Sequence, residues 1–385
     1  MREIYLDNNA TTPVRKEVLD AMMPYLKDEY GNASSVHLKG QKARKAVEAS
    51  REVIGETIGT EPVDVIFTSG GTESDNFAIK GVAMANLDKG RHVITTQIEH
   101  SAVLESCRFI EEELGFEVTY LPVDKYGVVD LDRLKSAIRK DTVLVSIMFA
   151  NNEIGTLQPI KEIARIAKKN GVYFHTDAVQ ALGKEPIDVE ELGVDMCSFS
   201  AHKLNGPKGV GALYLRKGVK ILPFQTGGYH ERRKRAGTLN VPGIVGFAKA
   251  LEIAKNDMKK NNKHMNKLSK KLLSGLEKQL DEIYLNGHPE NRLSNTLNIS
   301  FRYIEGESLI LNFDMKGIFA STGSACTSGS LEPSHVLTAI GAPPDRSQGS
   351  IRFSFGYENT EDEVDYCLAE IPPIVKRLRA MSPLC

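Results

Sequence analysis

Apolar residues in this chain fall into two patterns that alternate up to about residue 215. Short unbroken runs rich in Val, Ile and Phe predict strands at 63–68, 92–96, 118–123, 143–149, 172–176 and 195–199, with 211–216 as one more. Between them, apolar positions three and four apart predict helices at 73–87, 103–114 and 160–170. The last of these is basic and amphipathic, and Gly171 gives it an ordinary C-terminal stop. Alternation of this kind points to a mostly parallel sheet covered by helices.

The pattern then changes. Residues 245–281 read as one long helix or two abutting ones, with lysines at 249, 255, 259, 260, 263, 267, 270 and 271. Beyond it a strand at 297–301, a helix at 306–314 and a strand at 350–354 suggest a smaller α+β domain, with a boundary near 255–265. The predicted division is a large domain over 15–260 and a small domain built from 1–14 and 261–385. No internal repeat or low-complexity tract interrupts it.

Composition narrows the class. A chain of 385 residues has room for two domains with sizeable cores. Hydrophobic content of 41% and charged content of 26% are those of a globular protein. The formal net charge of −1 gives no bulk attraction to nucleic acid or to an anionic membrane, so the lysine-rich helix reads as a solvated face. The first twelve residues lack the apolar core of a secretory signal, and no run approaches the roughly 18 apolar residues of a membrane span. Five cysteines in odd number, widely scattered and without CxxC, suit a reducing, cytoplasmic setting.

Candidate chemistry sits at the predicted strand ends. Lys203, in Ser200-Ala201-His202-Lys203, follows Asp177 of His175-Thr176-Asp177-Ala178-Val179-Gln180 by twenty-six positions. A lysine that forms a Schiff base with pyridoxal phosphate, and a carboxylate that pairs with the ring nitrogen, make that cofactor an electron sink. Thr68-Ser69-Gly70-Gly71-Thr72-Glu73-Ser74-Asp75-Asn76 follows a strand and opens a helix, the makings of a phosphate site or of an ordinary N-cap. Glu99-His100-Ser101 and Asn151-Asn152-Glu153 also follow strands and should converge on one crevice. Neither a dinucleotide fingerprint nor a P-loop is present. Cys326 lies among small polar residues of the loop 321–330, where a thiol can act as a nucleophile. Arg352 alternates with apolar residues on a predicted strand, suited to a substrate carboxylate or to an internal salt bridge. The basic run 231–238 reads as a solvated turn.

Together these segments resemble the NifS/IscS-type cysteine desulfurases of the class-V aminotransferase family, which are fold-type-I pyridoxal-phosphate transferases. The likeness runs from Tyr5-Leu6-Asp7-Asn8-Asn9 to Ser350-Ile351-Arg352, nearly the whole chain. The long cysteine loop is similar to that of the group in which it is mobile. The chain stops at Cys385, where IscS proteins usually carry a scaffold-docking tail, and this with Asn8-Asn9 favours the NifS branch. Tyr229 stands where many relatives have a glycine.

The resemblance implies that Lys203 holds pyridoxal phosphate and that Asp177 pairs with its ring nitrogen. Gln180 would hydrogen-bond the ring hydroxyl, His100 would stack on the ring, and Asn152 would lie near cofactor and substrate. Gly71, Thr72, Ser200 and His202 would bind the phosphate, and Thr238 would reach the phosphate of the other subunit in a homodimer. Arg352 would hold the carboxylate of L-cysteine. Cys326 would take the sulfur as a persulfide, leaving L-alanine, and pass it to an iron–sulfur scaffold protein, where it would serve as a transient cluster ligand. Other readings of the same residues are an aminotransferase, a selenocysteine lyase, or a non-catalytic sulfur carrier that keeps the fold.

Overall fold

The computed structural model describes residues 2–322 and 334–382. Strand β1 (Ile4–Tyr5) opens the chain, followed by helices α1 (Lys16–Lys27) and α2 (Leu38–Ile58). Then come β2 (Val65–Thr68), α3 (Gly71–Ala85), β3 (His92–Thr96), α4 (Ser101–Leu114), β4 (Glu117–Leu121), α5 (Leu131–Ala137) and β5 (Thr142–Ser146). The series continues with α6 (Ile160–Lys169), β6 (Tyr173–Asp177), α7 (Val189–Leu192), β7 (Met196–Ser200) and β8 (Gly211–Leu215). β2 to β8 form one seven-stranded sheet in the order β2-β8-β7-β6-β5-β3-β4. β8 is antiparallel to both of its neighbours, and the remaining pairs are parallel.

These strands are where the apolar runs predicted them, and the sheet's two covered faces explain why they read as runs. Adjacent residues on one strand enter different cores. Ile66, Val93, Met196 and Leu213 pack against α3 and α4 through Phe77, Val82, Val103 and Ile110. Phe67, Ile94, Cys197 and Tyr214 join α2, α6 and α8 on the other side through Ile54, Ile163 and Phe247. With both faces buried, neither side of a strand needs polar residues.

Helix α8 (Val241–Glu277) is continuous over 37 residues, about 55 Å at helical rise. Its buried positions stop at Leu251 and resume at Met265. The first half belongs to the large core, while Leu268, Leu272 and Leu276 join a second core. That second core is built with β9 (Ile283–Asn286), β10 (Thr296–Phe301), α9 (Gly306–Asp314), β11 (Ile318–Phe319) and β12 (Ser321–Thr322). After them come α10 (His335–Ala339), α11 (Pro344–Ser347), β13 (Ser350–Ser354) and α12 (Glu361–Met381). An antiparallel sheet in the order β12-β13-β10-β9 carries the second core, and β1 pairs parallel with β11 beside it. The lysines of α8 at 255, 259, 260, 263, 267 and 270 are exposed, as a solvated face requires.

The basic run after Tyr229 is not a free surface turn. Glu231, Arg232 and Arg233 have φ of 42°, 54° and 65°, three successive non-glycine residues in the left-handed region. Strain of this kind persists only where the surroundings over-determine the backbone. Here they do. Arg51 of α2, 2% exposed, donates Nη1 and Nη2 to the two oxygens of buried Glu231 at 2.8 and 2.7 Å. The backbone N–H of Phe67 donates to the same carboxylate at 2.8 Å. Glu231→Ala would leave the buried Arg51 guanidinium with only the half-exposed Glu48 as counter-charge, an expected loss of about 3 kcal/mol. Urea denaturation at neutral pH measures it, and a loss below about 1 kcal/mol would mean the pair behaves like a surface one.

Candidate active site

The site forms where β3, β5, β6 and β7 end, at the carboxyl edge of the large sheet. Asp177 is the last residue of β6 and is buried. Its Oδ1 accepts from the Val179 N–H at 2.9 Å, which fixes the carboxylate as the chain turns away. Burial raises its pKa, while its neighbours His100 and Lys203 pull the other way. A carboxylate so placed is stabilised by a cation brought into the crevice.

The other acids beneath it are held neutral. Asp75 of α3 is 1% exposed, and its Oδ1 has no hydrogen-bond partner among the described residues. Burial first, then the charge of Asp177, pushes its pKa well above the usual carboxylate range. His175 sits between Ser146 Oγ and Ser198 Oγ, each 2.9 Å from a ring nitrogen, and burial lowers its pKa to about 3. Glu99 accepts from Thr96 Oγ1 at 2.6 Å and from the Met148 N–H at 3.0 Å, and burial pushes it up to about 8. Burial pushes all three carboxyl groups toward their neutral forms, and of the three Asp177 has His100 and Lys203 acting the other way.

His100 caps α4. Its Nδ1 accepts from the Ala102 N–H at 3.1 Å, so the neutral ring carries its proton on Nε2. Burial lowers its pKa although Asp177 opposes this. Asn151 folds the next strand end: its Oδ1 accepts from the N–H groups of Glu153 and Ile154, and its Nδ2 donates to Ile98 O. Asn152, half-buried, is left facing the site, and its carbonyl accepts from Asn9 Nδ2 and from Arg352 Nη1 at 3.1 and 3.0 Å.

Lys203 lies in the short turn after β7, and its Nζ donates to the carbonyls of Asn9 and Ala10, both at 2.7 Å. Gln180 Nε2 donates to the same Asn9 carbonyl at 3.0 Å. Asn9 itself is 1% exposed and is gripped by Thr296, Asn295 and Ser354 of the second core. The N-terminal segment therefore joins both cores at the lysine. Sequence reasoning had assigned Asn9 no role at the site.

The start of α3 makes a cradle. Gly70 has φ of 153°, which only glycine adopts easily. A Cβ on Gly71 would come 2.6 Å from Val179 Cγ2, and one on Gly70 would face Ser200 Oγ at 3.7 Å. The glycines thus let the helix N-terminus, Ser200 and the turn after Asp177 come together, leaving free N–H groups for an anion. Thr72 is exposed at that end. His202 is tied to Thr11 Oγ1 at 3.1 Å, and burial with the nearby lysines lowers its pKa to about 4, so it faces the site as a neutral ring. Thr238 is exposed and makes no side-chain hydrogen bond among the described residues. Its loop is tied to the cradle by Arg235, which forks onto Glu73 at 2.7 and 3.0 Å.

Arg352 on β13 is 3% exposed. It forms the internal salt bridge that its sequence context allowed, with Nη2 donating to Asp7 at 2.8 Å, yet its buried Nε has no partner among the described residues. Cys326 lies outside the described residues, as does the rest of 323–333. The segments that flank it are fixed at the site. Ser321 of β12 pairs with Arg352, and beyond the loop Ser334 donates to Glu153 at 2.5 Å while His335 Nε2 lies 2.9 Å from Glu99 O.

An anion cradle, a buried carboxylate and a lysine around one crevice fit pyridoxal phosphate: phosphate at α3, ring nitrogen at Asp177, aldehyde at Lys203. The fold and site define a pyridoxal-phosphate-dependent enzyme of fold type I. Residues 4–367 match the family described as aminotransferase class-V, and the chain belongs to that family. It is 57% identical over 383 residues to a cysteine desulfurase IscS of Methanosarcina thermophila, covering 100% of this chain and 94% of that one. A solved NifS-like protein superposes with a TM-score of 0.93 at 45% identity, over 98% of this chain and all of that one. The structure titled SspA in complex with cysteine gives 0.82 at 37% identity, over 93% of this chain and 100% of that one.

Glu99 provides a pH test of the site's electrostatics. In the folded chain it keeps its proton up to about pH 8, whereas an ordinary glutamate releases it near 4.5. The folded state binds more protons across that window, so stability falls as pH rises through it. Glu99→Gln is expected to flatten that fall by on the order of 3 kcal/mol, read from urea midpoints at pH 5 and pH 8. An unchanged pH dependence would mean that Glu99 is ionised.

Proposed function

We propose that this chain is a cysteine desulfurase that converts L-cysteine to L-alanine and takes the sulfur on Cys326. The observation that carries this reading is that the segment bearing Cys326 leaves from the strand paired with Arg352 and rejoins the fold at Glu153 and Glu99, beside Asn152 and His100. A nucleophile tethered at both ends to the site of an amino-acid enzyme suits transfer of a substrate side-chain atom. The relative from Methanosarcina thermophila bears the same activity in its name, and SspA was solved with cysteine.

Bound pyridoxal phosphate supplies an aldehyde that takes the substrate amine and a ring that withdraws electrons from Cα. Asp177 keeps the ring nitrogen protonated, and Gln180 and His100 fix the ring plane. Arg352 turns its unpartnered Nε toward the substrate carboxylate. Lys203 Nζ would remove the Cα proton and later return one. The Cys326 thiolate attacks substrate Sγ, and the Cβ–S bond breaks with its electron pair left on carbon, which a proton then satisfies. In sum, L-cysteine and the Cys326 thiol give L-alanine and a Cys326 persulfide, with atoms and electrons balanced.

The persulfide sulfur passes to an iron–sulfur scaffold protein, with Cys326 as a transient cluster ligand there. The working form is a homodimer in which Thr238, idle in its own chain, reaches the phosphate in the other subunit. Gly71, Thr72, Ser200 and His202 bind the phosphate, and Asn152 lies against cofactor and substrate. Cys107, Cys197 and Cys367 are buried and unpaired, in keeping with a cytoplasmic setting.

The test is alanine and sulfide formed from L-cysteine with reductant, for wild type and Cys326→Ala side by side. Alanine from wild type and a loss of roughly a hundredfold or more in the variant is the expected result. Equal rates would remove Cys326 from the mechanism, and pyruvate in place of alanine would contradict the reaction.

A further inference from the structure

Lys184 is a buried cation for which neither the mechanism nor the fold has yet given a use. It sits in the turn after β6, 9% exposed, four positions beyond Gln180. The turn is pressed onto α8: Asn262 Nδ2 donates to the Lys184 carbonyl at 2.6 Å, and a Cβ on Gly183 would come 2.9 Å from Ala254 Cβ. The cavity that Lys184 faces is lined also by Lys203, Arg15, Asn8 and Asn295, and no carboxylate lines it. Burial, then the charges of Lys203 and Arg352, lower the Lys184 pKa to about 7. A lysine kept in such a place without an acid needs another reason to be there.

Its Nζ donates to Gln180 Oε1 at 3.2 Å. That bond determines which end of the Gln180 amide faces which way. With the oxygen held by Lys184, the NH₂ group points toward the N-terminal segment, where one hydrogen goes to the Asn9 carbonyl at 3.0 Å. An amide NH₂ has two donors, so one remains. Lys203 donates to the same Asn9 carbonyl, so the amide NH₂ group and the lysine that would hold the cofactor meet at one atom.

We propose that Lys184 is a positioning residue: it locks the Gln180 amide so that a donor, not an acceptor, meets the ring hydroxyl of pyridoxal phosphate. The inference rests on the reading of Gln180 as the partner of that hydroxyl. Without Lys184 the amide could turn and set its oxygen against the ring oxygen, which in its ionised form is also an acceptor, and the hydrogen bond would be lost.

The test is the affinity of the cofactor-free protein for pyridoxal phosphate and for its 3-deoxy analogue, which lacks the ring hydroxyl, read by fluorescence titration without any turnover. Lys184→Met is expected to weaken pyridoxal phosphate about tenfold and to leave the 3-deoxy analogue unchanged. Gln180→Ala should give the same loss of preference, and the double variant should lose no more than either single one. Lys184→Arg, which retains a donor, should keep the preference. If the methionine variant does not fold, Lys184→Ala replaces it with the same expectation. Equal weakening of both ligands, or an undiminished preference in Lys184→Met while Gln180→Ala loses it, would overturn the proposal. A full preference in Gln180→Ala would instead defeat the reading of Gln180 on which it stands.

Discussion

The structure depends above all on one buried carboxylate, Asp177, at the carboxyl end of a strand that is covered on both sides. Placing a charge there is costly unless its surroundings answer it. The answer has two parts. Groups below the site are held uncharged: Asp75 and Glu99 keep their protons and His175 stays neutral. Of the groups around its mouth, His100 and Lys203 favour the charged carboxylate. The outcome is a crevice with one place for a cationic ring and several places for its anionic substituents.

Two cores must meet for this crevice to exist. The large sheet supplies Asp177, His100, Ser200 and Lys203 from its strand ends. The small sheet supplies Arg352 and the strand that leads to Cys326. Helix α8 runs through both cores, and the N-terminal segment is stitched across the junction by Asn9, whose backbone and side chain bond to residues of each. The proposed substrate binding and sulfur transfer would therefore depend on contacts far apart in sequence, such as Arg352 with Asn152.

Much of this was legible in the sequence, for stated reasons. The sheet strands were visible because burial on both faces leaves apolar runs, and their ends pointed to one crevice because parallel strands present their carboxyl ends together. Helices α1, α2 and α12 gave no comparable signal; α2, for example, buries small residues such as Gly40, Ala43 and Ala46. The reversed direction of β8 has no sequence signature. Charged residues hid their roles most fully. Glu231 looked like part of a solvated basic turn, yet it is buried against Arg51. Lys184 and Asp75 carried no motif beyond their nearness to Gln180 and Gly71, and only their burial shows what they do. For Arg352 the salt-bridge reading is realised in its pair with Asp7, while its buried Nε is without a partner among the described residues.

The most direct test of the central claim is exchange of the Cα proton of L-alanine in deuterated water, catalysed by the cofactor-loaded protein. If Asp177 alone carries the charge that answers the ring nitrogen, Asp177→Asn should slow exchange by roughly a hundredfold or more. Asp75→Asn, which exchanges one neutral group for another, should retain most of the rate. Exchange at the wild-type rate in Asp177→Asn, or an equal loss in both variants, would contradict the account.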